Sequence, residues 1–135
     1  MRLSRNSYLG VEFLARLARR STNEPCTAQE LAGSIERSVS YAETILARLR
    51  GAGLVKPLRG PGGGYRLAKT PDSITVAEIV RAVDERLGDP PARAPIEPLD
   101  GAALLWDALQ RYSLHYLERI TLADVACGRA EAVRS

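Results

Sequence analysis

"LVKPLRGPGGGYRLAK", residues 54–69, decides how the rest of the chain reads. Four glycines and a proline fall between Gly60 and Gly64, with Arg59 before them and Arg66 after. A glycine-rich loop beside basic side chains suits phosphate, which belongs either to a nucleotide or to a nucleic-acid backbone. A P-loop needs Gly-x-x-x-x-Gly-Lys-Ser/Thr opening a helix, because the helix N-terminal amides complete the cradle. Here the strand-like "YRLAK" follows instead, and a dinucleotide fingerprint fails for the same reason. The plainest alternative is a hairpin tip with no further role. Both "LVKPL" (54–58) and "YRLAK" (65–69) read as short strands, and glycine supplies the positive φ of a tight reversal between them.

The residues upstream give the hairpin its meaning. Ser4 to Arg20 reads as an amphipathic helix with Tyr8, Val11, Leu14, Leu17 and Ala18 on one face. Thr27 with Glu30 forms a capping box that opens "AQELAGSI", ending near Ile35. Ser38 or Ser40 caps the next helix, which turns Ala42, Ile45, Leu46 and Leu49 inward and stops at "GAG" (51–53). Two helices across a short turn, followed by a hairpin, predict a winged helix-turn-helix.

Downstream, Thr75 with Glu78 caps "VAEIVRAVDERL". Four of the eight prolines crowd residues 88–101, "GDPPARAPIEPLDG", which must be irregular. A long helix over about 102–119 carries Leu105, Leu109, Tyr112, Tyr116 and Ile120 in one stripe, beside Trp106, Ser113 and Leu117. That stripe exceeds what a small winged domain can cover, so it predicts a dimer. Thr121 with Asp124 caps a last short helix, which Gly128 ends. The expected organisation is therefore mainly α with a small β-hairpin wing. It comprises a DNA-binding domain (1–87), a Pro-rich loop (88–101), a dimerisation helix with a short C-terminal helix (102–128) and a tail (129–135).

Composition agrees with one soluble domain: 135 residues, 45% apolar and 26% charged. Residues 1–70 carry a net +7 and residues 71–135 a net −4, which gives the total of +3. A basic front half points to a polyanion partner there. No run is long and apolar enough to span a bilayer, and "MRLSRNSYLG" lacks a signal peptide's apolar core, so a cytoplasmic location is expected. Two cysteines are too few for a disulfide framework or a thiolate metal site within one chain.

In a winged helix the second helix of the pair lies in the major groove, with its first residues at the base edges. That selects Ser38, Ser40, Tyr41, Glu43 and Thr44. Serine hydroxyls read either kind of partner, and Glu43 can accept from cytosine N4. Alternatively, Glu43 is a solvated carboxylate favoured by the helix dipole. Arg48 and Arg50 read as surface residues. Arg59 and Arg66 flank a wing, where arginine suits a narrow, electronegative minor groove.

"SYAETILARLRGAGLV" (40–55), "RGPGGGYRLAK" (59–69) and "ITVAEIVRAVDE" (74–85) resemble the Rrf2 family of bacterial winged-helix regulators, which includes the IscR, NsrR and CymR types. "ALLWDALQ" and "YLERITLADV" are similar to its dimerisation helix and the short helix after it. The resemblance covers roughly residues 1–127. It implies a homodimeric transcription factor, most often a repressor, on partly palindromic promoter DNA. It places Ser40, Tyr41 and Glu43 at major-groove positions, and Arg59, Gly60 and Pro61 at minor-groove positions of the wing. Glu36, Arg37, Thr44 and the opening "SRNSYLGV" depart from the family's usual residues, which bears on the preferred DNA sequence.

Many members of that family bind an iron–sulfur cluster through three cysteines in the loop before the dimerisation helix. Here 88–101 has no Cys and no His, so no family-type cluster is expected and no cofactor is assigned. A site shared across a dimer is the remaining route. Cys26 is the candidate redox thiol, because a helix N-terminus and nearby arginine lower thiol pKa; an idle, buried cysteine is the plain reading. His115 alone makes no metal site, and Trp106 and Tyr112 read as packing residues. The input to such a regulator is then a thiol, a small molecule or a partner protein. No nucleophile–base pair is present, so an enzyme is not expected. The alternative function is a winged-helix adaptor that binds protein.

Overall fold

The computed structural model describes residues 5–20, 24–34, 38–84 and 101–128. Expectations for Ser4, for Ile35 to Arg37, for residues 85–100 and for the tail after Gly128 lie outside them. Among the described residues, six helices and one hairpin follow in the order α1 (Arg5–Arg19), α2 (Ala28–Ser34), α3 (Val39–Gly51), β1 (Val55–Leu58), β2 (Gly64–Leu67), α4 (Val76–Val83), α5 (Gly101–Glu118) and α6 (Leu122–Ala126). A single 3₁₀ turn, Pro71–Ser73, leads into α4.

Local chemistry starts the helices where the sequence places their caps. Ser38 is the N-cap of α3 and accepts from the Tyr41 amide at 3.2 Å. Thr75 does the same for α4 through the Glu78 amide, and Thr27 Oγ1 accepts from the Glu30 amide at 3.0 Å. A reciprocal box forms at Thr121 and Asp124, each side chain accepting from the other's amide at 3.1 Å. The carboxylates of Glu30 and Glu78 depart from the expected boxes. Glu30 turns to Arg20, and Glu78 lies 3.7 Å from the Lys69 ammonium, because each finds a cation on another segment.

Among the described residues a main core gathers α1 to α4, the base of the hairpin and α6, while Val76, Val80 and Ile120 form a smaller cluster against which Leu117 of α5 packs. Phe13 and Leu14 of α1, Ile45 and Leu49 of α3, Ile79 of α4 and Leu122 of α6 are all fully buried. The C-terminal piece is joined to the rest by backbone as well. The Val76 amide donates to Ile120 O at 2.9 Å, and the Leu122 amide donates to Ile74 O at 2.8 Å. Ile120 therefore lies beyond the end of α5 and is buried, rather than closing the exposed stripe to which its spacing assigns it.

Of the face expected for α1, Leu14 and Leu17 are buried and Val11 and Ala18 pack against the core, but Tyr8 is 66% exposed. Leu9 and Phe13 complete the buried face instead, where α1 packs against α4 and α6.

The hairpin is antiparallel, with Lys56 opposite Arg66 and Leu58 opposite Gly64. Cys26 adds a one-residue third strand: its amide donates to Tyr65 O at 2.9 Å, and the Tyr65 amide donates to Cys26 O at 2.8 Å. β2 is thus central. Pro57 falls on edge strand β1, where proline's missing donor does least damage.

Candidate nucleic-acid interface

α3 presents its first turn to solvent. Ser38, Ser40, Glu43 and Thr44 are all exposed, while Ala42, Ile45, Leu46 and Leu49 anchor the opposite face. Ser38 has its oxygen committed to the cap and retains a hydroxyl proton for an outside acceptor. Thr44 donates to Ser40 O at 3.0 Å, which leaves its methyl and lone pairs outward. Glu43 makes no ion pair with the described residues. Tyr41 differs from its neighbours: it is half-buried, and its hydroxyl donates to Asn6 Oδ1 of α1. It therefore locks the first turns of α1 and α3 together and offers less to a base edge than its position implies.

Arg48 is a second residue that sequence reasoning undervalued. It is half-buried, and its Nη1 donates to Val83 O, at the C-terminal end of α4, at 3.1 Å. Its partner lies 35 positions away, so no local pattern identifies it. Arg50 stays exposed, as expected.

At the wing, Gly60 O accepts from the Gly63 amide at 2.9 Å, and Gly62 has φ +75°. Proline at the second position and a positive φ at the third are the requirements of a type II turn. The glycine run thus answers first to turn geometry. It closes on its own hydrogen bond and passes into β2, with no helix N-terminus to hold a nucleotide phosphate. Arg59, Gly60 and Pro61 stand exposed at this tip. Arg66 does not share it. Facing Lys56 in the ladder, it is half-buried, and its Nε–H is buried without a partner.

An exposed first turn of the second helix and a basic wing tip are the two contact elements of a winged-helix DNA reader. A family model described as Rrf2, iron-dependent transcriptional regulator, matches residues 3–128. The chain belongs to the Rrf2 family. It is 34% identical over 116 residues to the regulator IscR of Cereibacter sphaeroides, spanning 81% of this chain and 75% of that one. It is 30% identical to CymR of Bacillus subtilis over 130 residues, spanning 93% and 90%. Among solved structures, CymR of B. subtilis superposes with a TM-score of 0.77 at 28% identity, covering 94% of this chain and 97% of that one. T. potens IscR gives 0.77 at 29%, covering 100% and 93%. Rrf2 proteins are DNA-binding transcription regulators and not enzymes. No described helix is long and apolar enough to cross a membrane.

The iron in the Rrf2 description asks for donors that this chain does not bring together. Cys26 is buried beside β2, and Cys127 is exposed at the C-cap of α6. His115 is exposed on α5, its Nδ1 3.4 Å from Glu118. Among the described residues, no three His, Cys, Asp or Glu side chains gather to hold a metal. Among the described residues, the two thiols and the imidazole are not gathered as a family-type cluster needs.

Cys26 also lacks the setting of a reactive thiol. Burial pushes its pKa up, the Arg20 guanidinium draws it part of the way back, and the Glu30 carboxylate, 3.6 Å from Sγ, adds to the rise. The arginine expected to activate it is present but outweighed, first by burial and then by Glu30. In the folded protein at about pH 7.5, a thiol reagent should alkylate Cys127 at least about tenfold faster than Cys26. Mass mapping of the two sites checks this, and urea should equalise them.

Proposed function

We propose that this Rrf2 protein is a homodimeric, sequence-specific repressor that holds no family-type iron–sulfur cluster and reads partly palindromic promoter DNA. The observation that carries the reading is the joint exposure of the α3 first turn and the Arg59 tip on one basic half of the chain. Ser38, Ser40, Glu43 and Thr44 meet base edges, Tyr41 holds the helix in place, and Arg59, Gly60 and Pro61 enter the minor groove beside it. The dimer is supported by α5, which displays Leu104, Leu105, Trp106, Leu109, Tyr112 and Tyr116 to solvent. Such a patch marks an interaction surface, and a two-fold partner presents the same face. The repressor assignment follows the family, and the cluster-free reading follows the missing soft donors.

The test begins with selection of duplexes from a random pool by purified, iron-free protein. It should return half-sites related by a dyad and spaced by about one helical turn. Arg59→Ala should then weaken binding about tenfold and lower the slope of log K against log salt by about one. Unchanged affinity in that variant would remove the wing from the interface. Salt-resistant binding to protein, with no duplex recovered, would select the adaptor.

A further inference from the structure

We propose that the cleft between the C-terminal end of α1 and strand β2, at the base of the wing, binds a small monocarboxylate with an apolar body, held by the Arg66 guanidinium. The cleft measures 320 Å³, enough for a small metabolite, and lies away from α3 and the wing tip. Leu17, Ala18, Leu67 and Pro71 give it an apolar wall, while Arg20, Arg66 and Lys69 line it with three cations against the one carboxylate of Glu24.

The three cations are not equivalent. Arg20 already donates to Pro25 O and pairs with Glu30, and Lys69 lies 3.7 Å from Glu78. Among the described residues Arg66 has no carboxylate partner, and its Nε–H is buried without a hydrogen-bond acceptor. A buried unsatisfied donor on a charged group is costly, and the planar fork of a guanidinium matches a carboxylate through two parallel hydrogen bonds. A carboxylate entering the cleft re-seats this side chain and supplies the missing acceptor. One positive fork and an apolar wall suit a single carboxylate with a hydrocarbon body better than inorganic phosphate, which has nothing for the wall to cover.

Position gives the site a regulatory consequence. Arg66 sits on β2, the central strand that carries the wing, and Leu17 sits on α1, the helix that Tyr41 ties to α3. A ligand spanning the cleft braces the wing against the helical body. This coupling rests on the DNA-binding reading above, whereas the binding itself does not.

The test uses the full-length chain at fixed ionic strength, with monocarboxylates from butyrate to 3-phenylpropionate, the matching amides and inorganic phosphate. At ten times its Kd an acid should raise the melting temperature by about 3–5 °C, while the amides leave it unchanged. Calorimetric titration of Arg66→Met should show affinity for the acid lowered by about tenfold or more, with Arg66→Lys in between. The comparison of acid with amide in the parent protein stands even if a variant folds poorly. Equal shifts from acid, amide and phosphate, no shift from any acid, or full affinity in a folded Arg66→Met protein would each overturn the site. Titrating the same preparation with the selected duplex keeps the two readings apart. Acid binding without DNA binding retires the regulator and leaves the cleft, and the reverse retires the cleft.

Discussion

If the proposed α5 dimer forms, a Leu105→Asp variant should sediment as a monomer at micromolar concentration and bind the selected palindromic duplex about 100-fold more weakly than the parent. The size of the effect comes from the linkage of two half-sites. Once one recognition helix has docked, the second finds its half-site at a high effective concentration, and a monomer loses that advantage without losing any contact of its own. Leu105 is 56% exposed on α5 and next to Trp106, which is 60% exposed. A carboxylate there is harmless to the isolated chain and places two buried like charges against a two-fold partner. The melting curve of the monomeric variant, extrapolated to low protein concentration, should therefore match the parent's. A Leu105→Asp protein that remains dimeric would remove α5 from the interface.

Gly64→Val should destabilise the fold by about 2–4 kcal/mol and loosen the wing. The loss has two parts. A Cβ at Gly64 would lie 2.7 Å from Cys26 O and 3.0 Å from the Thr27 amide nitrogen, so backbone rather than a flexible side chain has to move. Moving it stretches the paired hydrogen bonds between Cys26 and Tyr65, each worth about 1 kcal/mol net. The remainder is overpacking strain. Denaturant melts report the stability. Hydrogen exchange at the Cys26 and Tyr65 amides localises it, because those two protections should fall first. Unaltered exchange there would mean that β2 does not depend on its one-residue neighbour.

These two positions differ in how visible they are before folding. Leu105 belongs to an apolar stripe with helical spacing, so its place on one face of α5 is legible from the period alone. Gly64 reads as one more loop glycine in "GPGGG", yet it is the first residue of β2 and is needed for a close approach from a segment 38 positions earlier. Ser38 caps α3 and Arg59 is exposed at the turn, as their local context implies. Tyr41 shares α3's first turn with them but is turned away by its bond to Asn6. Arg48 reads as a surface residue, whereas for Cys26 the sequence leaves an activated thiol and a buried one open. The hydrogen bond of the one and the burial of the other come from segments that no short window contains.

By itself, then, the sequence determined where the helices begin, where the chain reverses and which half is basic. Those are short-range matters: a cap joins residues three apart, a type II turn needs a positive φ that glycine supplies at its third position, with proline favoured just before it, and charge is a property of composition. Only the tertiary structure decided that Leu9 and Phe13 rather than Tyr8 complete the buried face of α1, which strand is central, and which arginine is tied, exposed or left with an unsatisfied donor. Each of those outcomes is a competition between distant segments for the same space and the same hydrogen-bond partners. Close packing settles such a competition only when all of them are in place.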